Sequence, residues 1–181
     1  MNGAAGTGAR YSPAAKILHW LIVLAVAGQF FLGWNMPEVE EGAPPGAIID
    51  THMSLGVSIL LVTLIRLAWR ISHPVRQLPE LPAWQRHAAV TVHRLFYAIL
   101  IVMPFLGWLA AAGEGWQVTV FGIFLLPVPV AAESPLGEAG HEGHEILGTV
   151  LLILIGIHAA AAVYHYVILR NRVMRRMLPG G

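Results

Sequence analysis

Five histidines of this chain sit in or at the ends of long apolar runs: His19, His52, His144, His158 and His165. An unpaired imidazole is costly to bury in hydrocarbon, and ionisable groups inside a membrane usually do chemistry. His144 and His158 are fourteen residues apart on one run. On a helix that spacing puts them about 40° apart in azimuth and about 21 Å apart in height. They share a face but cannot share a ligand, so one helix offers ligands at two depths. The other runs supply partners at matching depths. His52 stands at the outer end of its run, as His144 does. His19 stands toward the inner end of its own, between the heights of His158 and His165, and spacing leaves both open as its partner. Two pairs of imidazoles facing across a helix bundle suit two b-type haems, each held by two histidines. Two axial nitrogens saturate the iron, which favours electron transfer over oxygen binding. A zinc or copper site would gather three or four ligands at one depth. There is no cysteine, which excludes disulfides, thiolate metal sites, Cys-held iron–sulfur clusters and haem attached through Cys-x-x-Cys-His.

Four apolar stretches, at about 14–34, 51–70, 91–112 and 144–168, must carry these histidines. Each has about 20 residues or more, enough to cross a hydrocarbon core of about 30 Å. Helices are required, because hydrocarbon offers no partner to an exposed backbone group. Pro104 falls inside the third stretch and is expected to kink it. The chain is 56% apolar and 12% charged, with a mean hydropathy of +0.66. That is the composition of a membrane protein. A net charge of +1 leaves no strongly basic surface for nucleic acid. Near the N-terminus, Lys16, an apolar run and Ala25-Val26-Ala27 have the look of a cleavable leader. The run continues through Gln29 to Trp34, so it reads as a retained helix.

All eleven Lys and Arg residues fit on one side of the membrane: Arg10 and Lys16, then Arg66, Arg70, Arg76, Arg86 and Arg94, then Arg170, Arg172, Arg175 and Arg176. The two opposite connections hold Glu38, Glu40, Glu41 and Asp50, then Glu114, Glu133, Glu138 and Glu142, while Glu80 and Glu145 fall outside them. Short loops rich in Lys and Arg stay cytoplasmic, so both termini are expected inside. The Pro-containing inner loop, 72–89, reads as extended. The outer loop, 113–143, is expected to lie along the interface, with Trp116 and Phe121 as anchors. No repeat or second domain is visible, and residues 1–181 read as one all-α, integral-membrane four-helix bundle.

Other residues are candidates by position. Arg66 and Arg70 close the second span on the inside and can pair with haem propionates or set topology. His93 begins the third span beside Arg94 and can line an inner quinone pocket. His73 and His87 fall in the inner loop, and His141 is an alternative to His144 as a ligand. The small residues Ser54 and Gly56 near His52, and Ala159 to Ala162 after His158, leave room for a flat macrocycle or for close helix packing.

These features resemble the bacterial cytochrome b561 family, small di-haem, quinone-linked cytochromes of the inner membrane. The likeness covers nearly the whole chain. It runs from Tyr11-Ser12-Pro13-Ala14-Ala15-Lys16-Ile17-Leu18-His19-Trp20 through His52-Met53-Ser54-Leu55-Gly56 and Arg66-Leu67 to Arg70. It continues in Tyr97, Pro104 and Gly107, then in Trp116, Phe121-Gly122 and Pro127. It ends with His144-Glu145 and Gly156-Ile157-His158-Ala159-Ala160-Ala161. The resemblance implies two haem b groups with His19, His52, His144 and His158 as axial ligands, and so chooses His158 over His165 as the partner of His19. It implies electron exchange with ubiquinone, expected at the inner side near His165, Arg66 and Arg70. Some members of the family look like superoxide oxidases, which raises superoxide as an electron donor beside a periplasmic protein. The outer loops here are acidic and lack Lys and Arg, which disfavours an anionic substrate. The alternative reading is a cytochrome b anchor subunit of a hydrogenase- or dehydrogenase-like complex, and a third is a transporter without redox chemistry.

Overall fold

The computed structural model describes residues 11–40, 42–75 and 81–178. Four helices dominate it: α1 (Pro13–Trp34), α2 (Ala47–Ser72), α3 (Ala83–Gly113) and α4 (Pro135–Val167). All four are long and apolar enough to cross a membrane. A small antiparallel hairpin, β1 (Thr119–Val120) and β2 (Phe124–Leu125), lies between α3 and α4. The chain turns back at every connection. One end of the bundle therefore collects Lys16, Arg70, Arg86 and the segment after α4, and the other collects the loops with Glu38, Glu40, Glu114 and Glu133. They are called here the basic and the acidic end. Arg10, Glu41, Arg76 and Glu80 of the charge pattern lie outside the described residues.

Three of the helices reach beyond the apolar runs that announce them. α2 starts one turn before Thr51, and α3 starts at Ala83, so much of the loop expected to be extended is helical and His87 lies on α3. α4 starts nine residues before His144. Its start is marked by chemistry other than hydropathy: Ser134 Oγ accepts from Gly137 N at 3.2 Å, and Pro135 takes the first helical position. Ser12 and Pro13 open α1 in the same way. Pro104 is carried inside a continuous α3.

Packing is uneven. α3 and α4 touch along a seam so close at the acidic end that a Cβ on Gly137 would stand 2.5 Å from the Cα of Gly113. α1 packs on α2, and α2 on α3. Among the described residues, no Cα of α4 lies within 8 Å of one in α1 or α2. α4 is thus bridged to those two helices by side chains alone. The buried core is Ile22, Val26, Ile59, Ile99, Leu100, Leu151 and Leu154, a plug at mid-height. Much of the outer surface is large and apolar, as at Leu24, Leu61, Ile153 and Ile157, which is the surface that lipid requires.

The loop after α3 departs from a simple interfacial strip. Ser54, buried on α2, donates to Thr119 O at 3.1 Å and accepts from Phe121 N at 2.9 Å, which fixes the hairpin over α2. Trp116 donates through Nε1 to Ala43 O at 3.1 Å and ties the two acidic-end loops together, while Phe121 is exposed.

Candidate functional site

Each gap beside α4 is bridged by a pair of imidazoles. At the acidic end the rings of His52 on α2 and His144 on α4 have centroids 6.0 Å apart. At the basic end His19 on α1 and His158 on α4 are 6.5 Å apart. Two imidazole nitrogens each about 2 Å from one shared metal ion would put the ring centres about 6 Å apart. Both pairs fit that requirement. Among the described residues no group of three or more His, Asp or Glu gathers as a metal-ion site, so the donor sets are pairs, which suits a macrocycle that brings four nitrogens of its own.

The surroundings of the pairs differ. His144 Nδ1 lies 3.1 Å from the Met103 carbonyl. A carbonyl only accepts, so Nδ1 carries the proton and Nε2 keeps its lone pair. Gly107, one turn beyond Met103, makes room for this ring: a Cβ there would stand 3.0 Å from both Cε1 and Nδ1. The His52 ring packs likewise on Gly33 of α1, where a Cβ would stand 3.7 Å from Cε1. Space for the His144 ring therefore comes from a glycine on α3, while Gly33 only touches the His52 ring. The small residues beside the histidines are otherwise used: Ser54 holds the hairpin, Gly56 admits Gln29, and Ala159, Ala160 and Ala161 face outward.

At the basic end the rings border a cavity of about 550 Å³. His19, Arg66, Arg70, His93, Tyr97 and His158 all contribute to its wall. Arg66 Nη1 donates to His19 Nδ1 at 3.0 Å. Arg70 Nη1 is buried without a partner, a guanidinium nitrogen left for an acceptor such as a carboxylate. His93 comes within 5.7 Å of His158, ring to ring. That spacing also suits a shared metal, but α3 packs directly on α4 and leaves no slot for a macrocycle, whereas α1 and α4 stand apart. The segment after α4 folds back over this end, with Met177 lining the cavity and its carbonyl accepting from Trp20 Nε1 at 2.9 Å.

Of the remaining histidines, His73 also borders the cavity and the others lie outside its wall. His165 does not line the cavity; its Nδ1 lies 2.7 Å from Asn171 Nδ2 at the C-terminal turn of α4. His141 faces Glu145 at 3.6 Å, and both side chains are largely exposed. His73 stacks on Trp69 with ring centroids 4.0 Å apart, and His87 is exposed. Sequence reasoning missed Gln29, Gly33 and the Met103 carbonyl. A signal was present: Gln29 is a lone amide within an apolar run, and both Gln29–Gly33 and Met103–Gly107 have the four-residue spacing of one helical turn.

The family model of prokaryotic cytochrome b561 matches residues 10–180. The chain is 28% identical over 176 residues to cytochrome b561 homolog 2 of Escherichia coli (strain K12), covering 93% of this chain and 91% of that protein. It is 28% identical over 179 residues to cytochrome b561 homolog 1 of the same organism, covering 94% and 97%. It is 26% identical over 176 residues to a probable superoxide oxidase, CybB, of Yersinia pestis, covering 94% and 96%. With its four apolar helices and a family match over nearly its whole length, the chain belongs to the prokaryotic cytochrome b561 family, multi-pass proteins of the bacterial inner membrane that bind haem b and transport electrons.

Proposed function

We propose that this chain is a di-haem cytochrome that carries electrons across the bilayer and exchanges them with ubiquinone at its basic end. His52 and His144 hold one haem b, and His19 and His158 hold the other. The observation that carries this reading is that both histidine pairs bridge helices whose backbones stand apart, at 6.0 and 6.5 Å between ring centres. When bound, haem b supplies one-electron iron chemistry that no side chain here provides. The chain supplies ligands, orientation and a dry path. His144 is held in the ligating tautomer by Met103, and the apolar plug between the pairs excludes water. Arg66 and Arg70 are suited to propionates, Arg66 releasing His19 Nδ1 as it turns to an anion. The quinone headgroup is best served by His93, which lines the cavity, ahead of His165, which does not. By the excess of Lys and Arg, the basic end and both termini are cytoplasmic.

Superoxide is the donor suggested by the name of the Yersinia pestis relative. At the acidic end of this chain an opening is lined by Glu114, Glu133, Glu138 and Glu142. Such a field repels an anion, so we rank a neutral or cationic donor ahead of superoxide. A pyridine haemochrome assay of the purified protein, followed by anaerobic reduction and addition of ubiquinone, tests the proposal. Two haems per chain, reoxidised by the quinone, are expected. One haem per chain would end the pairing scheme.

A further inference from the structure

Two complementary atoms are left without partners beside the acidic-end pair. His52 Nδ1 and Gln29 Oε1 are both buried, and neither makes a hydrogen bond. The two residues are already joined, because Gln29 Nε2 donates to the His52 carbonyl at 2.9 Å. Gly56 lets the amide come this close: a Cβ there would stand 3.3 Å from Gln29 Nε2. An amide in the middle of an apolar span is costly unless both its ends bond. A metal-ligating histidine, in turn, gives its second N–H to an acceptor that fixes its tautomer and raises its basicity. His144 meets that need at Met103; the Gln29 backbone faces the His52 ring, but Nδ1 forms no well-aligned bond to it.

We propose that Gln29 is the positioning residue of His52. Its Nε2 holds the His52 carbonyl, and its Oε1 accepts the Nδ1–H bond, so that His52 Nε2 is presented to iron. One amide thus grips the main chain and the ring of the same residue. The proposal rests on the reading that His52 and His144 hold a haem. The Gln29 backbone also faces the imidazole, so substitution of the side chain separates the two acceptors that residue 29 offers.

The test uses full-length protein with Gln29→Leu, read by electron paramagnetic resonance of the ferric haems and by redox titration. Both haems should remain. The g-values of the acidic-end haem should shift, and its midpoint potential should rise as its ligand loses basicity. The basic-end haem should not change. Gln29→Glu keeps an acceptor and should move the potential the opposite way. If Gln29→Leu does not accumulate, Gln29→Glu carries the test alone. Unchanged g-values and an unchanged potential, with both haems bound, would overturn the role of Gln29 and leave the haem pairing standing. A single haem in the unsubstituted protein, measured first, would remove the pairing and this proposal together.

Discussion

Toward the two ends of α4, pairs of imidazoles have nearly the same ring spacing in opposite settings. At the acidic end, one ring is pinned to a main-chain carbonyl and both rest on glycines of neighbouring helices. At the basic end, the rings border an open cavity with two arginines and a third histidine. The hydrogen bonds sharpen the contrast. Met103 leaves a lone pair on His144 Nε2, ready to ligate. Arg66 can only donate, so it draws the lone pair of His19 to Nδ1 and puts the proton of the neutral ring on Nε2. His144 is preorganised at the acidic end, whereas His19 would have to exchange a contact before both basic-end rings could ligate. Ring spacing alone therefore does not distinguish a fixed relay from a place of exchange. The groups behind the rings do: carbonyl and glycine fix a ligand, while guanidinium and open volume admit an anion or a headgroup.

The largest effect should come from the ligands. His52→Ala or His144→Ala should remove the acidic-end haem and leave the other, and His19→Ala or His158→Ala should do the reverse. The sites are independent because fourteen residues of α4 separate their ligands by about 21 Å. Haem content and visible spectra of the four variants check this. Loss of a haem in His165→Ala with none in His158→Ala would break the comparison at the basic end.

A smaller effect tests the backing of the rings. In Gly107→Ala the new methyl would stand 3.0 Å from the His144 imidazole and push it off the Met103 carbonyl. Loss of such outer-shell support lowers metal-site affinity about 10–100-fold. Haem titration should show that loss at the acidic end only. Equal weakening of both haems would mean that Gly107 serves the bundle and not its histidine.

The parts of this arrangement legible in the sequence are those set by one-dimensional spacing. Apolar length announced four spans, and the fourteen residues between His144 and His158 announced two depths. Helix starts are hidden from hydropathy, because the first turns of α3 and α4 are polar or glycine-rich: residues 137–143 carry Gly, Glu and His and break the apolar pattern. Those glycines are explained only by α3, which presses against them. The choice between His158 and His165 had the same difficulty. It depends on how far α1 is displaced along α4, which one helix cannot reveal. The backing groups were the least legible, since Met103 contributes a carbonyl and Gly107 an absence of side chain, and neither has a chemical signature of its own.

The smallest expected effect concerns the quinone and bears on the open end of the comparison. The hydroxyls of a reduced headgroup need an acceptor within reach of the cavity. His93 lines that cavity, with its Nδ1 turned to the Ala89 carbonyl at 2.5 Å, so Nδ1 carries the proton of the neutral ring and Nε2 keeps the lone pair that accepts. His165 is occupied at Nδ1 and lies outside the wall. His93→Ala should therefore slow electron transfer from reduced haem to a soluble ubiquinone about tenfold, the equivalent of one hydrogen bond of about 1.4 kcal/mol. His165→Ala should stay near the unsubstituted rate. His93 also touches the His158 ring, so haem content must be shown intact first. His93→Gln, which retains an acceptor in its amide oxygen, should recover part of the rate. An unchanged rate in His93→Ala with a slowed one in His165→Ala would move the exchange site out of the cavity to the end of α4. The cavity would then serve the haem and its propionates alone.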